Sequence, residues 1–253
     1  MNSKNDRADK VLVALGHFDS RAAAQAAIAA GRVRVGGVVV KKASEKINLD
    51  AKVEAQAAHP WVSRGGIKLA HALDVFDVRV EGRACLDIGA STGGFTDVLL
   101  QSGAHSVVSV DVGREQLHKR LRTDDRVISL EAQDARRLTQ EQLGAADLIV
   151  CDASFISLTK LLSVPLSLMP TRSDLITLFK PQFEVGKAHI GKGGIVTNRA
   201  AATSAEANFI EWLEAQDWQI SGRTDSPITG GDGNHERLIW ANKKSGDATP
   251  PDL

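Results

Sequence analysis

The sequence predicts an α/β fold in which helices cover both faces of a parallel sheet, preceded by a small basic α+β unit. Beyond residue 60, short apolar runs alternate with helical patterns, as they do in successive βαβ units. The first 60 residues instead show two short helical patterns and a tight hairpin. They carry ten Lys and Arg against six Asp and Glu, a net charge of +4, whereas the remainder carries −4.

The composition limits the class of protein. The chain has 253 residues and no net charge, which suits one large domain or one medium and one small, and argues against a general polyanion binder. No apolar run approaches the roughly 20 residues that span a bilayer, and the polar start MNSKNDRADK is unlike a signal peptide. We therefore expect a cytoplasmic protein with no metal site, in which Cys85 and Cys151 are free core thiols.

Cap and turn signals define the N-terminal unit at residues 1–60. A helical apolar pattern covers residues 7–15, after a polar start at 1–6 that we expect to be frayed. Ser20 suits the N-cap of a second helix that ends at Gly31. The pair Gly36-Gly37 between two valine-rich runs predicts a two-residue hairpin.

The second domain begins after His59-Pro60, which interrupts regular structure, and Gly65-Gly66 is expected to allow a bend. We place it at residues 61–245 and expect a disordered tail at 246–253. Its predicted strands are ACLDIG, SVVSVDV, RVISL, DLIVCDAS and DLITLFK, with helices near 94–102, 115–121, 156–168 and 199–215. Two further strands, DWQISGRTDSPI and ERLIWANK, follow the last helix.

Basic side chains are concentrated on the N-terminal unit. Strand alternation places Arg32 and Arg34 on one face of the hairpin, opposite the valines. A small domain with a basic face suits contacts with nucleic-acid phosphates, although a merely solvated surface explains the charge equally well. The candidate nucleic-acid-binding residues are Arg7, Arg21, Arg32, Arg34, Lys41, Lys42 and Arg64.

A glycine-rich turn follows the first strand of the second domain, in LDIGASTGGFTDVLL from Leu86 to Leu100. Glycine weakens strands and helices, but here it would let the backbone approach a ligand at the N-terminus of a helix. The spacing does not fit the dinucleotide fingerprint G-x-G-x-x-G. The candidate cofactor-binding residues of this turn are Gly89, Ala90, Ser91, Gly93, Gly94 and Phe95.

Carboxylates at three successive strand ends predict which cofactor is bound. Asp87, two residues before Gly89, would repel a pyrophosphate but attract the amino and sulfonium groups of S-adenosylmethionine. Asp111 would accept the ribose hydroxyls, the adjacent Val112 is a further candidate cofactor-binding residue, and Asp134 would bind the adenine amino group. The alternative, that all three are ordinary loop and N-cap aspartates, stays open at this point.

The end of the fourth strand predicts the acceptor of the methyl group. Asp152 is a further candidate cofactor-binding residue, which would face the methyl-donor end of the cofactor. After it the chain has Ala153-Ser154, not the Pro-Pro-aromatic string of base-amino methylases, and the sequence has no Pro-Cys pair typical of base-carbon methylases. Both absences favour an oxygen acceptor, whose proton a base must remove. We expect a partly buried neutral Lys180 to be this base, with Glu236 to orient it.

A further lysine, Lys68, precedes the first strand of the sheet and would hold the acceptor hydroxyl or a neighbouring phosphate.

The chain as a whole resembles TlyA-type proteins almost from end to end. The resemblance rests on RADKVLVALGHFDSRAAAQAAIAAGRVRVGG, WVSRGGIKL, LDIGASTGGFTDVLL, VDVGREQLH, CDASFISL, LFKPQFE, GKGGIV and SPITGGDGNHERLIW. These proteins are ribosomal-RNA ribose methyltransferases with an N-terminal S4 domain and a C-terminal FtsJ-like (RrmJ-like) domain.

The resemblance implies a seven-stranded Rossmann-like methyltransferase domain behind an S4-like RNA-binding domain. It implies a catalytic tetrad of Lys68, Asp152, Lys180 and Glu236, which would pass a methyl group from S-adenosylmethionine to a cytidine 2′-hydroxyl of ribosomal RNA. The implied partners are ribosomal RNA and ribosomal subunits, with no membrane and no metal. The oligomeric state does not follow from the sequence, and we expect a monomer.

Three alternatives are weighed against this interpretation. Methylation of another structured RNA, such as tRNA, would use the same residues. A pore-forming hemolysin, which the family's second name suggests, would need a membrane-active segment, whereas the apolar runs here are short and already needed for the sheet. A non-catalytic RNA-binding module would have a broken tetrad, and this tetrad is complete.

Overall fold

The chain folds into two compact units, and the boundary along the sequence lies between Pro60 and Trp61. This computed structural model describes residues 5–244, so the tail predicted at 246–253 lies outside the described residues. Each unit has its own apolar core, made of residues from that unit alone.

The N-terminal unit packs two short helices against two small antiparallel sheets. Strand β1 pairs with β4, and β2 lies between β3 and β5. Ser20 caps the second helix by accepting a hydrogen bond from the backbone N–H of Ala23, at 3.2 Å. The elements are β1 Asn5–Arg7, α1 Ala8–Ala14, α2 Arg21–Ala29, β2 Val33–Val35, β3 Val38–Val39, β4 Lys46–Asn48 and β5 Val53–Ala55.

The second unit contains a seven-stranded sheet, and the predicted α/β class is confirmed. The strand order is β11-β12-β10-β9-β6-β7-β8, with β10, β9, β6, β7 and β8 parallel and β11 and β12 antiparallel. The strands are β6 Ala84–Ile88, β7 Ser106–Asp111, β8 Val127–Glu131, β9 Leu148–Cys151, β10 Asp174–Phe179, β11 Trp218–Asp225 and β12 Arg237–Lys243. The helices are α3 Gly65–Phe76, α4 Gly94–Gln101, α5 Lys119–Arg122, α6 Gln140–Leu143, α7 Leu158–Leu168 and α8 Arg199–Glu214.

Strand alternation divides the core between the two faces of this sheet. Leu86 and Ile88 of β6 pack into a cluster with residues of α7 and α8. Cys85 of the same strand packs on the opposite face with residues of α3 and α4. Cys85 and Cys151 are free and buried, and burial raises the pKa of each thiol to about 12, so neither is a reactive thiolate.

The functional edge of the sheet is set by its topology. From β6 the chain runs to β7 and β8 on one side, whereas β9 and β10 lie on the other. Ligands of open α/β sheets bind at the carboxyl ends of the strands where the order reverses in this way. The segments that follow β6 and β9 therefore form the two walls of the expected site.

Three local predictions were wrong. Asn5 and Asp6 belong to a strand, whereas the sequence predicted a frayed start at 1–6. Gly65 and Gly66 begin α3 and do not form a bend, because Gly66 allows close packing on Trp61, whose Cγ would lie 2.4 Å from an added Cβ. The helix predicted at 115–121 is reduced to α5, since Glu115 has a positive φ of 53°.

Within residues 5–244, no helix combines the length and the apolar character needed to cross a membrane.

The sheet core makes a matched pair of isoleucine substitutions informative. Ile239→Ala in β12 removes a side chain that is 0% exposed and is expected to lower the free energy of unfolding by about 2–5 kcal/mol. Ile128→Ala in the edge strand β8, at 53% exposure, is expected to cost less than about 1 kcal/mol. Urea unfolding followed by tryptophan fluorescence measures both, because all four tryptophans lie between residues 61 and 240. Equal losses in the two variants would contradict this description of the core.

Candidate active site

The turn after β6 comes into direct contact with the segment after β9. Gly89 has a φ of +81°, and a Cβ there would lie 2.9 Å from the Cα of Ala153, closer than real Cβ contacts. Only glycine therefore lets the turn pack against Asp152 and Ala153. This contact places the glycine-rich turn and Asp152 on the two walls of one site.

The other two glycines of the turn have packing roles. Gly93 is the N-cap of α4, with a φ of +93°, and a Cβ there would meet Leu121 and Leu117 at 2.2 and 2.7 Å. A Cβ on Gly94 would lie 2.3 Å from Ser63 Oγ, before α3. These glycines seat the turn on its neighbours, and we find Gly93 facing leucines, although it was predicted to contact a cofactor.

Three adjoining cavities open at this edge of the sheet. The Asp111 cavity, about 520 Å³, is lined by Asp111, Asp134 and the turn after β6. The Lys180 cavity, about 320 Å³, is lined by the same turn together with Lys68 and Lys180. The Glu236 cavity, about 430 Å³, shares both lysines and adds Glu236. Ser154 lines all three cavities, so they form one continuous site.

Asp111 is held in a fixed orientation at the end of β7. Its Oδ1 accepts a hydrogen bond from the backbone N–H of Gly113 at 2.7 Å, and its Oδ2 accepts one from Ser91 at 2.8 Å. A carboxylate has about four lone-pair positions, so each oxygen keeps capacity for a hydroxyl donor. The neighbouring Val112 is 74% exposed and lines the same cavity, as an apolar contact for a flat ring.

Asp134 lines the same cavity and is paired with an arginine. Arg136 donates to it from Nε and Nη2, at 3.0 and 2.6 Å. The hydrogen bonds from Arg136 hold the pKa of Asp134 below its usual value, so its carboxylate is charged at neutral pH. The predicted adenine-binding group is thus ionised and held in place before any ligand arrives.

Asp87 lies behind the turn and does not line any of the three cavities. It is 0% exposed, and its Oδ2 accepts hydrogen bonds from the N–H and Oγ1 of Thr96, at 2.9 and 2.6 Å. Burial raises its pKa to about 7, and the nearby carboxylates of Asp152 and Asp111 add to the rise, whereas Thr96 opposes it. In this structure Asp87 is a buried acid that supports α4, and its contact with the cofactor stays a prediction.

Lys180 and Asp152 form one ion pair at the junction of the cavities. Lys180 Nζ lies 2.6 Å from Asp152 Oδ1 and donates to Ser154 Oγ at 2.9 Å. The two lysines of the site are each 8% exposed. Lys180 directly follows β10 and Asp152 directly follows β9, so the parallel pairing of these strands brings them together.

Lys68 and Glu236 form the second ion pair. Lys68 Nζ donates to Glu236 Oε2 at 2.5 Å, from the first turn of α3 to the residue before β12. Glu236 was predicted to orient Lys180, whereas its hydrogen bond in this structure is with Lys68. Because α3 was not predicted, the proximity of Lys68 to Glu236 was not visible in the sequence.

The remaining predicted residues occupy distinct places. Ala90 and Phe95 are buried and line the Lys180 cavity, and exposed Arg64 lines it before α3. In the N-terminal unit, the guanidinium groups of Arg7 and Arg21 both donate hydrogen bonds to the carboxylate of Asp9. The other basic candidates there are exposed: Arg32, Arg34, Lys41 and Lys42.

Two features of the site were missed from the sequence. Ser154 was noted only as a departure from other methylases, yet it is a hydrogen-bond partner of Lys180. Phe155 is 90% exposed and lines the Glu236 cavity, with its ring centroid 5.2 Å from that of Phe183. An aromatic residue next to a predicted catalytic aspartate is the signal that would have found it.

Among the described residues, no group of three or more His, Cys, Asp or Glu side chains is placed to hold a metal ion.

The buried Asp87 makes the stability of the ligand-free protein depend on pH. Its pKa of about 7 in the folded state exceeds the usual 3.8, so its contribution to stability is complete below pH 3.8 and is lost as the pH rises through 7. Asp87→Asn can keep the bond from Thr96 N–H and removes this titration. The free energy of unfolding of the variant minus that of the parent is therefore expected to be about 2–3 kcal/mol larger at pH 8 than at pH 5. Urea unfolding at both pH values measures it, and an equal difference at the two would refute the assignment.

Comparison with known proteins places this geometry in a family. Residues 61–243 match the FtsJ-like methyltransferase family, and residues 6–53 match the S4 domain. A relative from Mycobacterium tuberculosis, named 16S/23S rRNA (cytidine-2′-O)-methyltransferase TlyA, is 43% identical over 94% of this chain and 90% of its own length. Hemolysin A of Brachyspira hyodysenteriae is 39% identical over 92% of this chain and 98% of its own.

A solved structure shows the same architecture. It is described as a hemolysin from Streptococcus thermophilus, superimposes with a TM-score of 0.75 at 36% identity, and covers 95% of this chain and 89% of its own. Both domains, the sheet and the order of the motifs therefore agree with the resemblance noted in the sequence. The chain belongs to the TlyA-type family of FtsJ-like methyltransferases, which carry an N-terminal S4 domain.

Proposed function

We propose that this chain transfers the methyl group of S-adenosylmethionine to the 2′-hydroxyl of a cytidine in ribosomal RNA. The observation that carries the proposal is the pair of buried ion pairs, Lys180–Asp152 and Lys68–Glu236, at the junction of three cavities. The name of the Mycobacterium tuberculosis relative supports the substrate. A ribosomal substrate implies a cytoplasmic location and ribosomal subunits as partners, and we propose that the chain acts as a monomer.

The residues of the Asp111 cavity fit the nucleoside part of this cofactor. Asp111 offers carboxylate oxygens to ribose hydroxyls, and Asp134 offers them to an adenine amino group. Gly89 leaves open the space that a Cβ would fill beside Ala153. The negative charges of Asp111 and Asp152 suit a ligand with a positive sulfonium group. When bound, the cofactor supplies an electrophilic methyl group.

The ion pairs divide the work of the transfer between them. As the new C–O bond forms and the bond from the methyl carbon to the sulfur breaks, the 2′-hydroxyl gives up its proton, and we propose that the Lys180 amine takes it after releasing its own ion-pair proton to solvent. Asp152, at 2.6 Å, stabilises the resulting ammonium, and Ser154 fixes the position of the amine. Lys68, held by Glu236, is placed to orient the acceptor ribose or its phosphate. The tetrad has no net charge, so it creates no uncompensated buried charge at rest.

The acceptor nucleotide is proposed to enter the Glu236 cavity. Phe155 and Phe183 line it with aromatic faces, on which an unstacked base can pack. Such a base must leave its helix before its ribose reaches Lys180. Contacts from the S4 domain to phosphates would position the RNA, through Arg7, Arg21, Arg32, Arg34, Lys41 and Lys42, with Arg64 beside the site.

The same catalytic residues would serve another structured RNA, so mapping the methylated nucleotide on separated ribosomal subunits is part of the test. The name hemolysin belongs to the Brachyspira hyodysenteriae relative. No specific observation in residues 5–244 favours a membrane activity for this chain, and we propose none.

The tetrad variants test the catalytic assignment. Lys180→Ala and Asp152→Ala are each expected to reduce methyl transfer to ribosomal RNA by at least about a hundredfold, because they remove the proton acceptor or its counter-charge. Lys160→Ala, an exposed lysine of α7, is the matched control and should retain parental activity. Transfer of labelled methyl groups to purified subunits measures all three. Full activity in Lys180→Ala would exclude it as the base.

The glycine turn gives a separate test of cofactor binding. Gly89→Ala places a methyl group 2.9 Å from Ala153 Cα, and is expected to weaken binding of S-adenosylhomocysteine by about tenfold or more. Gly82→Ala also has a positive φ, of +75°, but meets no atom within 4 Å, so it controls for backbone strain alone. Isothermal titration calorimetry measures both. Equal affinities would show that the turn is not the cofactor bed.

A further inference from the structure

The N-terminal unit contains a buried carboxylate to which the proposed function assigns no role. Asp9, in the first turn of α1, is 0% exposed. Buried carboxylates are costly unless they are paired and hydrogen-bonded. The partners of Asp9 therefore identify what this buried charge does in the unit.

Two arginines converge on this one carboxylate. Arg7 donates from Nε to Oδ1 at 3.0 Å and from Nη2 to Oδ2 at 3.2 Å. Arg21 donates to Oδ2 from Nη2 at 2.7 Å and from Nε at 3.2 Å. Gln25, one turn further along α2, donates to Oδ2 at 2.7 Å. Both guanidinium groups therefore lie within hydrogen-bond distance of the same oxygen atom.

Arg7 and Arg21 are accessible to solvent, although Asp9, which they both contact, is buried. The side chain of Arg7 is 40% exposed and that of Arg21 is 51% exposed, whereas the Asp9 side chain is 0% exposed. Each guanidinium has five N–H donors. Among the described residues, the bonds to Asp9 use only the Nε and Nη2 atoms of each group, so the Nη1 donors take no part in holding this carboxylate.

Two such cations would repel each other without the carboxylate between them. The hydrogen bonds from Arg7, together with those from Arg21 and Gln25, hold the pKa of Asp9 well below its usual range, against the effect of burial. Asp9 is therefore ionised at neutral pH, and the cluster of Arg7, Arg21 and Asp9 carries one net positive charge. Paired guanidinium groups with fixed geometry suit bidentate contacts with phosphate oxygens.

We propose that Asp9 is a positioning residue that holds Arg7 and Arg21 together as one binding site for RNA backbone phosphate. This inference rests on the proposed function, because it takes RNA as the ligand. This inference and the alternative of a general basic surface predict opposite changes in RNA affinity when the charge of Asp9 is removed. If charge alone governed binding, removing the negative charge of Asp9 would tighten the RNA complex; if position governs it, the same change weakens the complex.

The experiment titrates fluorophore-labelled full-length protein with purified small and large ribosomal subunits from cells that lack it, between 50 and 300 mM KCl. Asp9→Asn is expected to bind the preferred subunit about tenfold more weakly, since the two guanidinium groups separate. The slope of log affinity against log salt should become shallower by about 1–2, as phosphate contacts are lost. Asp6→Asn is the matched control, because it removes the same charge at an exposed position of the same unit and should bind as tightly as the parent or slightly more tightly.

The amide NMR signals of residues 5–60, recorded in the full-length protein, show whether the N-terminal unit of the Asp9→Asn variant is folded. If it does not, the decision passes to Arg21→Lys, which keeps the charge but loses the guanidinium geometry, and which is expected to weaken binding about fivefold or more. Methyl transfer adds a second readout for the folded variant, whose KM for the subunit should rise while kcat at saturation is unchanged.

The outcomes separate this inference from the proposed function. Unchanged or tighter binding by folded Asp9→Asn, or by Arg21→Lys where that variant decides, overturns the positioning role alone. Normal binding by the parent without any methyl transfer overturns the proposed function alone. Failure of the parent to bind either subunit overturns both.

Discussion

The site depends on the close approach of two backbone segments at the switch point of the sheet. The turn after β6 can contact the segment after β9 only because residue 89 lacks a side chain, with 2.9 Å between its ideal Cβ position and Ala153 Cα. This approach joins the Asp111 cavity to the residues around Asp152. Without it, the groups suited to a nucleoside and the groups suited to proton transfer would line separate sites. The glycine at position 89 thus determines whether the nucleoside-binding groups and the proton-transfer groups line the same site.

Charge is distributed around this contact in a way that favours a cationic ligand and a neutral resting tetrad. Two lysines and two carboxylates cancel at the junction of the cavities, at 2.6 and 2.5 Å. To one side, Asp111 accepts hydrogen bonds from the backbone N–H groups of Ser91 and Gly113, whereas ionised Asp134 is already paired with Arg136. Asp87 behind the turn responds to the same field, since the carboxylates of Asp152 and Asp111 help to raise its pKa to about 7. The arrangement is consistent with a site that gains its missing positive charge from its ligand.

The sequence was sufficient for the order of elements and for the strand-end residues, because both follow from local patterns. Alternating apolar runs predicted the parallel strands, and the position of a residue after a strand placed Asp111, Asp152 and Lys180 at one edge of the sheet. Contacts between distant elements were not accessible in this way. Glu236 pairs with Lys68 across 168 positions of the chain, and this contact depends on α3, which the two glycines at its start concealed.

Side-chain direction was the second limit. Asp87 was expected to face the cofactor because it precedes the glycine turn, but strand alternation and its bonds to Thr96 direct it into the protein. Likewise, Arg7 and Arg21 were predicted as nucleic-acid-binding residues, and their shared partner Asp9 was not considered, since a lone aspartate in a helix gives no sequence signal. Asp87 and Arg21 were correctly placed on their elements, whereas Arg7 lies in β1 and not in the predicted helix. The partners of all three depended on tertiary packing.

The most direct test of the account is a crystal structure of the protein with S-adenosylhomocysteine. The account predicts the nucleoside in the Asp111 cavity, with its ribose hydroxyls on Asp111, and the sulfur atom at the junction with the Lys180 cavity, facing the Lys180 amine. A nucleoside bound in another cavity, or a sulfur atom directed away from Lys180 and Asp152, would contradict it.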